Sequence, residues 1–150
     1  MARHRFRPRY RGLAWGAAGL GAGLGAISWA APPIVLVTGV CGLLLGGAYL
    51  ASPTWRLAVE TSEDALAVVA GSRTRFSLPW TEVQAVVASR ATRTCFVNGG
   101  VPERSLLVPG DGAPAPYRLE RREELFDFIL AHVPEDKVES VELLSDRLRG

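Results

Sequence analysis

The stretch Gly12–Ala31, GLAWGAAGLGAGLGAISWAA, is followed after Pro32-Pro33 by Ile34–Ala51, IVLVTGVCGLLLGGAYLA, and neither run contains a charged side chain. A helix rising 1.5 Å per residue needs about 20 apolar residues to cross a hydrocarbon layer roughly 30 Å thick. Each run is about that long, so the sequence predicts a membrane hairpin of two helices over 12–51. Proline stops a helix and biases the residue before it toward extended backbone, which makes Ala31-Pro32-Pro33 the turn.

Charge sets the expected orientation. Residues 1–11 hold five arginines and no acid, whereas residues 53–150 hold twelve basic and fifteen acidic side chains, so a basic tail precedes a mildly acidic domain. Positive flanks stay on the cytoplasmic side, so the tail and the domain are both expected at the inner face of the cell membrane, with the lipid bilayer as first partner. Trp15, Trp29, Tyr49 and Trp55 fall near the ends of the runs, where amphipathic rings favour headgroups. The competing reading is a signal peptide ending near Ser28 and Ala30. It is disfavoured because the apolar stretch exceeds a signal core and a second run follows at once. A nucleic-acid binder would concentrate positive charge on the folded part, and this chain does not.

Glycines recur four apart in the first run, as Gly12 and Gly16, Gly19 and Gly23, and Gly21 and Gly25, and in the second as Gly42 and Gly46. Such spacing lets helices approach closely. Packing within the hairpin is the favoured use; a homo-oligomer or docking to another membrane subunit is the alternative.

From Trp55 the pattern becomes short alternating runs bounded by turn residues, the mark of half-buried antiparallel strands. Strands are expected around 55–60, 65–70, 73–78, 83–88, 94–97, 104–108 and 116–119, with Thr74, Phe76 and Leu78 facing a core and Arg73 and Arg75 facing water. Segment 121–133 breaks the alternation. Leu125, Phe126, Ile129, Leu130 and Val133 recur at helical spacing, Glu123 and Glu124 suit the positive end of the helix dipole, and Pro134 marks the stop.

The order of about seven strands and one C-terminal helix, with Phe76-Ser77-Leu78-Pro79-Trp80-Thr81-Glu82-Val83 and Glu124-Leu125-Phe126-Asp127-Phe128-Ile129, resembles the bacterial pleckstrin-homology (PH)-like domains, particularly membrane proteins in which two N-terminal spans precede such a domain. The resemblance covers 53–134, and the whole chain if the hairpin is included. It implies a mainly-β split barrel plugged by the helix and used for binding or scaffolding. Phosphoinositide-binding members place basic residues around the first strand-to-strand loop; here that loop is Thr61-Ser62-Glu63-Asp64, so headgroup specificity is not carried over. Arg73 and Arg75 remain a candidate interaction surface, although solubilising a wet strand face explains them as well.

No catalytic, metal or cofactor site is expected. His4 and His132 are the only histidines, Cys95 has no neighbouring histidine in sequence, and Cys41 sits in an apolar run. The glycine-rich stretches 98–100 and 109–112 lack the setting of phosphate loops and read as turns. The acid pairs Glu63-Asp64, Glu123-Glu124 and Glu135-Asp136 fall in a turn, a helix start and a linker. Beyond Pro134, Val138, Val141, Leu144 and Leu148 suggest an amphipathic tail over 135–150 that packs on the domain or binds a partner. The expected function is a membrane-anchored, non-catalytic scaffold that holds a protein partner; the alternative is an assembly subunit working through its glycine-rich helices.

Overall fold

A computed structural model describes residues 2–28, 32–113 and 115–142, and the chain divides into two compact units, 8–53 and a domain made of 1–7 with 54–150. The helical unit is therefore an insertion between the first two strands of the domain.

In the helical unit, α1 covers Arg11–Ile27 and α2 covers Pro33–Leu50, with proline in the first turn of α2, where its missing N–H costs nothing. Gly21, Gly39, Gly42 and Gly46 line the contact between the two helices. A Cβ built on Gly21 would lie 2.5 Å from the Gly39 carbonyl oxygen, and one on Gly46 2.6 Å from the Ala14 carbonyl oxygen. Only residues without a side chain allow backbones that close. The Tyr10 N–H donates to the Tyr49 hydroxyl at 3.1 Å, joining the foot of α1 to the end of α2.

Among its described residues the domain contains nine strands. Five form a sheet in the order β4-β3-β2-β1-β8: β1 Ala2–Pro8, β2 Leu57–Thr61, β3 Ala65–Ala70, β4 Arg73–Pro79 and β8 Tyr117–Leu119. The other four run in the order β7-β6-β5-β9: β5 Ala85–Ser89, β6 Thr94–Asn98, β7 Leu106–Val108 and β9 Val138–Ser140. β9 lies parallel to β5, whereas β6 pairs antiparallel with both β5 and β7. Helix α3, Arg122–His132, contributes Leu125, Phe126 and Ile129 to a core shared with Val59, Leu66, Leu78, Val83, Val86, Val97 and Val108.

These observations correct the fold expected from sequence. The molecule is a mixed α/β fold with sheets of five and four strands and three helices, instead of a two-span hairpin followed by a seven-stranded split barrel. One helical stretch among the described residues, Pro33–Arg56, is long and apolar enough to cross a membrane, and 11% of its most apolar window is buried. Helix α1 has 17 residues, about 26 Å at 1.5 Å per residue, which is short of the hydrocarbon thickness. The two missing strands are β1, read above as a basic tail, and β9, read above as part of an amphipathic tail. Leu144 and Leu148 of that tail lie outside the described residues. Thr74 also departs from expectation. A register shift between Val68 and Val69 turns it outward, opposite Val69, so it is exposed while Leu78 stays buried.

Candidate functional site

The segment Ala2–Pro8 alternates with period two, so His4 and Phe6 enter the core while Arg3, Arg5 and Arg7 project from the opposite face. Its register against β2 places Arg3 opposite Glu60 and Arg5 opposite Ala58. Glu60 pairs onward with Ala67, and Ala67 with Ser77; Ala58 pairs with Val69. Cross-strand partners share a face, so the outward side of this sheet is uncharged beyond Glu60 at these positions. On the other flank β8 buries Leu119 and exposes Arg118.

Two carboxylates answer this row of guanidinium groups. Arg3 Nε lies 3.5 Å from Glu60 Oε1, and Arg7 Nε donates to Glu120 Oε1 at 2.7 Å. Arg3 also reaches past β2 to donate to the Gly71 carbonyl at 3.2 Å. Arg5 and Arg118 form no ion pair among the described residues and are exposed. The hydrogen bond from Arg7 holds the Glu120 carboxyl below its ordinary value against a smaller opposing desolvation, with the charges of Arg7, Arg5 and Arg121 adding to the depression. Four arginines against two glutamates leave a face suited to phosphate or carboxylate oxygens, which guanidinium binds through paired N–H donors.

Behind this face, among the described residues, the packing leaves two buried side-chain polar atoms without a partner. His4 is fully buried; its Nδ1 donates to the Glu120 carbonyl at 3.1 Å, but Nε2 has no partner. Thr61 Oγ1 is likewise buried and unpartnered.

A second feature is a groove of about 400 Å³ between the β5–β6 turn and α3, lined by Arg90, Arg93, Phe126, Asp127, Leu130 and Ala131. Arg93 adopts a left-handed backbone with φ 50° and pairs with Glu123 at 2.5 Å. Arg90 has no ion pair among the described residues. Near the other end of α3, Phe128 stacks on His132 with centroids 4.0 Å apart, and Trp80 lies 5.6 Å from the same imidazole. The His132 Nδ1 donates to the Phe128 carbonyl one turn back, so the ring is held as part of the packing.

The residues singled out from sequence are distributed as follows. Gly21, Gly42 and Gly46 meet at the α1–α2 contact, and Gly25 supplies backbone beneath Gly39. Gly12, Gly16, Gly19 and Gly23 have open space where a Cβ would stand. At about 100° per residue these four lie within about 60° of one another, on the side of α1 away from Gly21. Arg73 and Arg75 are exposed on β4, at the edge of the five-stranded sheet and away from β1. The sequence reading assigns residues 1–11 to a basic tail and so does not place the β1 arginines among the site residues. Their alternation with His4 and Phe6 was the available signal.

Cys95 is fully buried, and burial pushes its thiol up to about 12, far from the reactivity of a nucleophile. Among the described residues no three His, Cys, Asp or Glu side chains are grouped to hold a metal ion. No protein-family model, curated protein or solved structure matches the chain.

Proposed function

We propose that the chain is a non-catalytic interaction module, fixed to the cell membrane by its helical unit and presenting the two-sheet domain on the cytoplasmic side. The observation that carries this reading is the outer surface of α2. Leu36, Val37, Val40, Leu43, Leu44 and Leu45 are all exposed, Leu45 to 73%, an apolar area that water does not tolerate and lipid does. Thr38, the one hydroxyl in the helix besides Tyr49, turns its Oγ1 back to donate to the Ile34 carbonyl at 2.8 Å, which suits an apolar medium. Arg9 and Arg11 flank the start of α1 and favour the cytoplasmic side.

Because β1 pairs with β2, the polypeptide leaves the domain at Pro8 and rejoins the same sheet at Leu57. Both ends of the helical unit therefore join the sheet that it holds at the membrane surface. Held at that surface, a domain with only a weak site for a protein partner acts at high effective concentration.

Alkaline carbonate extraction of membranes tests the anchor. The full chain should remain in the pellet, and a variant with Leu43, Leu44 and Leu45 replaced by Ser should be released. Release of the unaltered chain would sink the reading.

The open glycine row of α1 favours a second reading, an assembly subunit that docks another helix against Gly12, Gly16, Gly19 and Gly23. Replacing Gly16 and Gly19 by Leu should abolish crosslinked assemblies if that contact exists. Unchanged crosslinking excludes it.

A further inference from the structure

We propose that the outward face of β1 and β8, carrying Arg3, Arg5, Arg7 and Arg118, seats on anionic phospholipid headgroups; the inference rests on the membrane-anchored reading above. Four observations combine. The strand period puts Arg3, Arg5 and Arg7 on one side of β1, and Arg118 projects from the exposed side of β8, the next strand in the sheet. Cross-strand positions on the same side of β2, β3 and β4 are Ala58, Ala67, Val69 and Ser77, of which Ala58 and Val69 are buried and Ser77 is exposed, so this side carries no other acid there than Glu60.

The acids that are present are already engaged, Glu60 by Arg3 and Glu120 by Arg7, which leaves Arg5 and Arg118 without an ion pair among the described residues. A surface built only for solubility intersperses both signs. Here one sign prevails on a single face while residues 53–150 as a whole are net acidic.

Chain continuity selects the partner. Arg7 precedes Arg11, the first residue of α1, by four residues, a reach of at most about 14 Å for extended backbone. Arg7 is therefore held within that reach of whatever surface receives the start of α1. The cytoplasmic leaflet carries phosphate and net negative charge, and each arginine close to it gains about a fivefold preference for the anionic surface. Guanidinium groups on a rigid strand meet headgroup phosphates without ordering a flexible tail first.

The test uses the full chain with vesicles of phosphatidylcholine alone or with added phosphatidylglycerol. Flotation reports attachment, and phenylglyoxal modification mapped by mass spectrometry reports access to each arginine. Arg5 and Arg118 should react about fivefold more slowly on the phosphatidylglycerol vesicles. That protection should vanish in about 1 M salt, where the Debye length falls to about 3 Å, and exposed Arg90 should react equally on both.

Equal rates for Arg5 and Arg118 on floating protein overturn the proposal and leave the anchor standing. Flotation on anionic vesicles alone, with protection, overturns the anchor and supports the proposal. Absence of flotation on either vesicle sinks both. Protection by soluble polyglutamate but not by phosphatidylglycerol also overturns it and assigns the face to an acidic protein.

Discussion

Arg7 on β1 and Glu120 just after β8 are joined by a charge-assisted hydrogen bond across 113 residues of chain, with Nε to Oε1 at 2.7 Å. This pair fastens the first strand to a late one. The Glu120 folded-state value lies below its unfolded value, so the pair's stabilisation is fully present above the ordinary glutamate range and is lost as pH falls through the depressed value. Urea midpoints measured through the acid range should therefore decline less steeply in E120Q than in the parent chain. An identical decline would show that other carboxylates govern acid unfolding.

The buried Thr61 hydroxyl has no partner among the described residues. Valine preserves its shape and removes the unsatisfied oxygen, so T61V should raise domain stability by about 1 kcal/mol in urea unfolding, within the usual cost of an unpaired buried polar group. A loss of similar size would mean that the hydroxyl is satisfied in solution.

Glycines of α1 divide into two classes. A Cβ at position 21 would stand 2.5 Å from the Gly39 oxygen and 2.6 Å from the Leu43 nitrogen, whereas one at 19 meets nothing within 4 Å. Backbone cannot rotate aside as a side chain does. G21A should therefore weaken the helix pair by roughly 1–3 kcal/mol, while G19A should be neutral or slightly favourable, because Ala is the better helix former. Melting of the far-ultraviolet helical signal in lipid micelles distinguishes them.

Truncation after Pro134 should destabilise the domain by roughly 2 kcal/mol. It removes β9 from the edge of β5, together with the Lys137 Nζ bond to the Val83 carbonyl at 2.7 Å and the Ser89 hydroxyl bond to the Glu142 carbonyl at 2.7 Å. Calorimetry on the full and shortened chains measures the difference, and equal melting would show that the β9 pairing adds nothing.

Locally encoded elements were legible from sequence. The short apolar run Ala65–Ala70, bounded by turn residues, and the helical spacing of Leu125, Phe126 and Ile129 correspond to β3 and α3. Elements defined by distant partners were harder. Val138–Ser140 is only three residues long, and its parallel pairing with β5 leaves no periodic trace in so short a run. In 1–11 the five arginines carry the same charge signal as a flexible basic flank, and the alternation with His4 and Phe6 becomes a strand only through pairing with β2. The open and closed glycine faces of α1 could not be separated by four-residue spacing alone, since Gly12 and Gly21 belong to equally regular series on opposite sides. The α3 groove depends on the β5–β6 turn meeting residues more than thirty positions later, which no local pattern reports.

The place of β1 in the sheet, between β2 and β8, bears on how the protein is made. β1 leaves the ribosome before both of its neighbours, of which one lies beyond an apolar helical insertion and the other at 117–119. It must wait, unpaired, while the intervening helices reach their environment, and such long-range closure is slow. A chain stalled or cut before residue 117 would therefore display an arginine-rich open edge with His4 and Phe6 uncovered, a marker by which quality control could tell unfinished copies from finished ones.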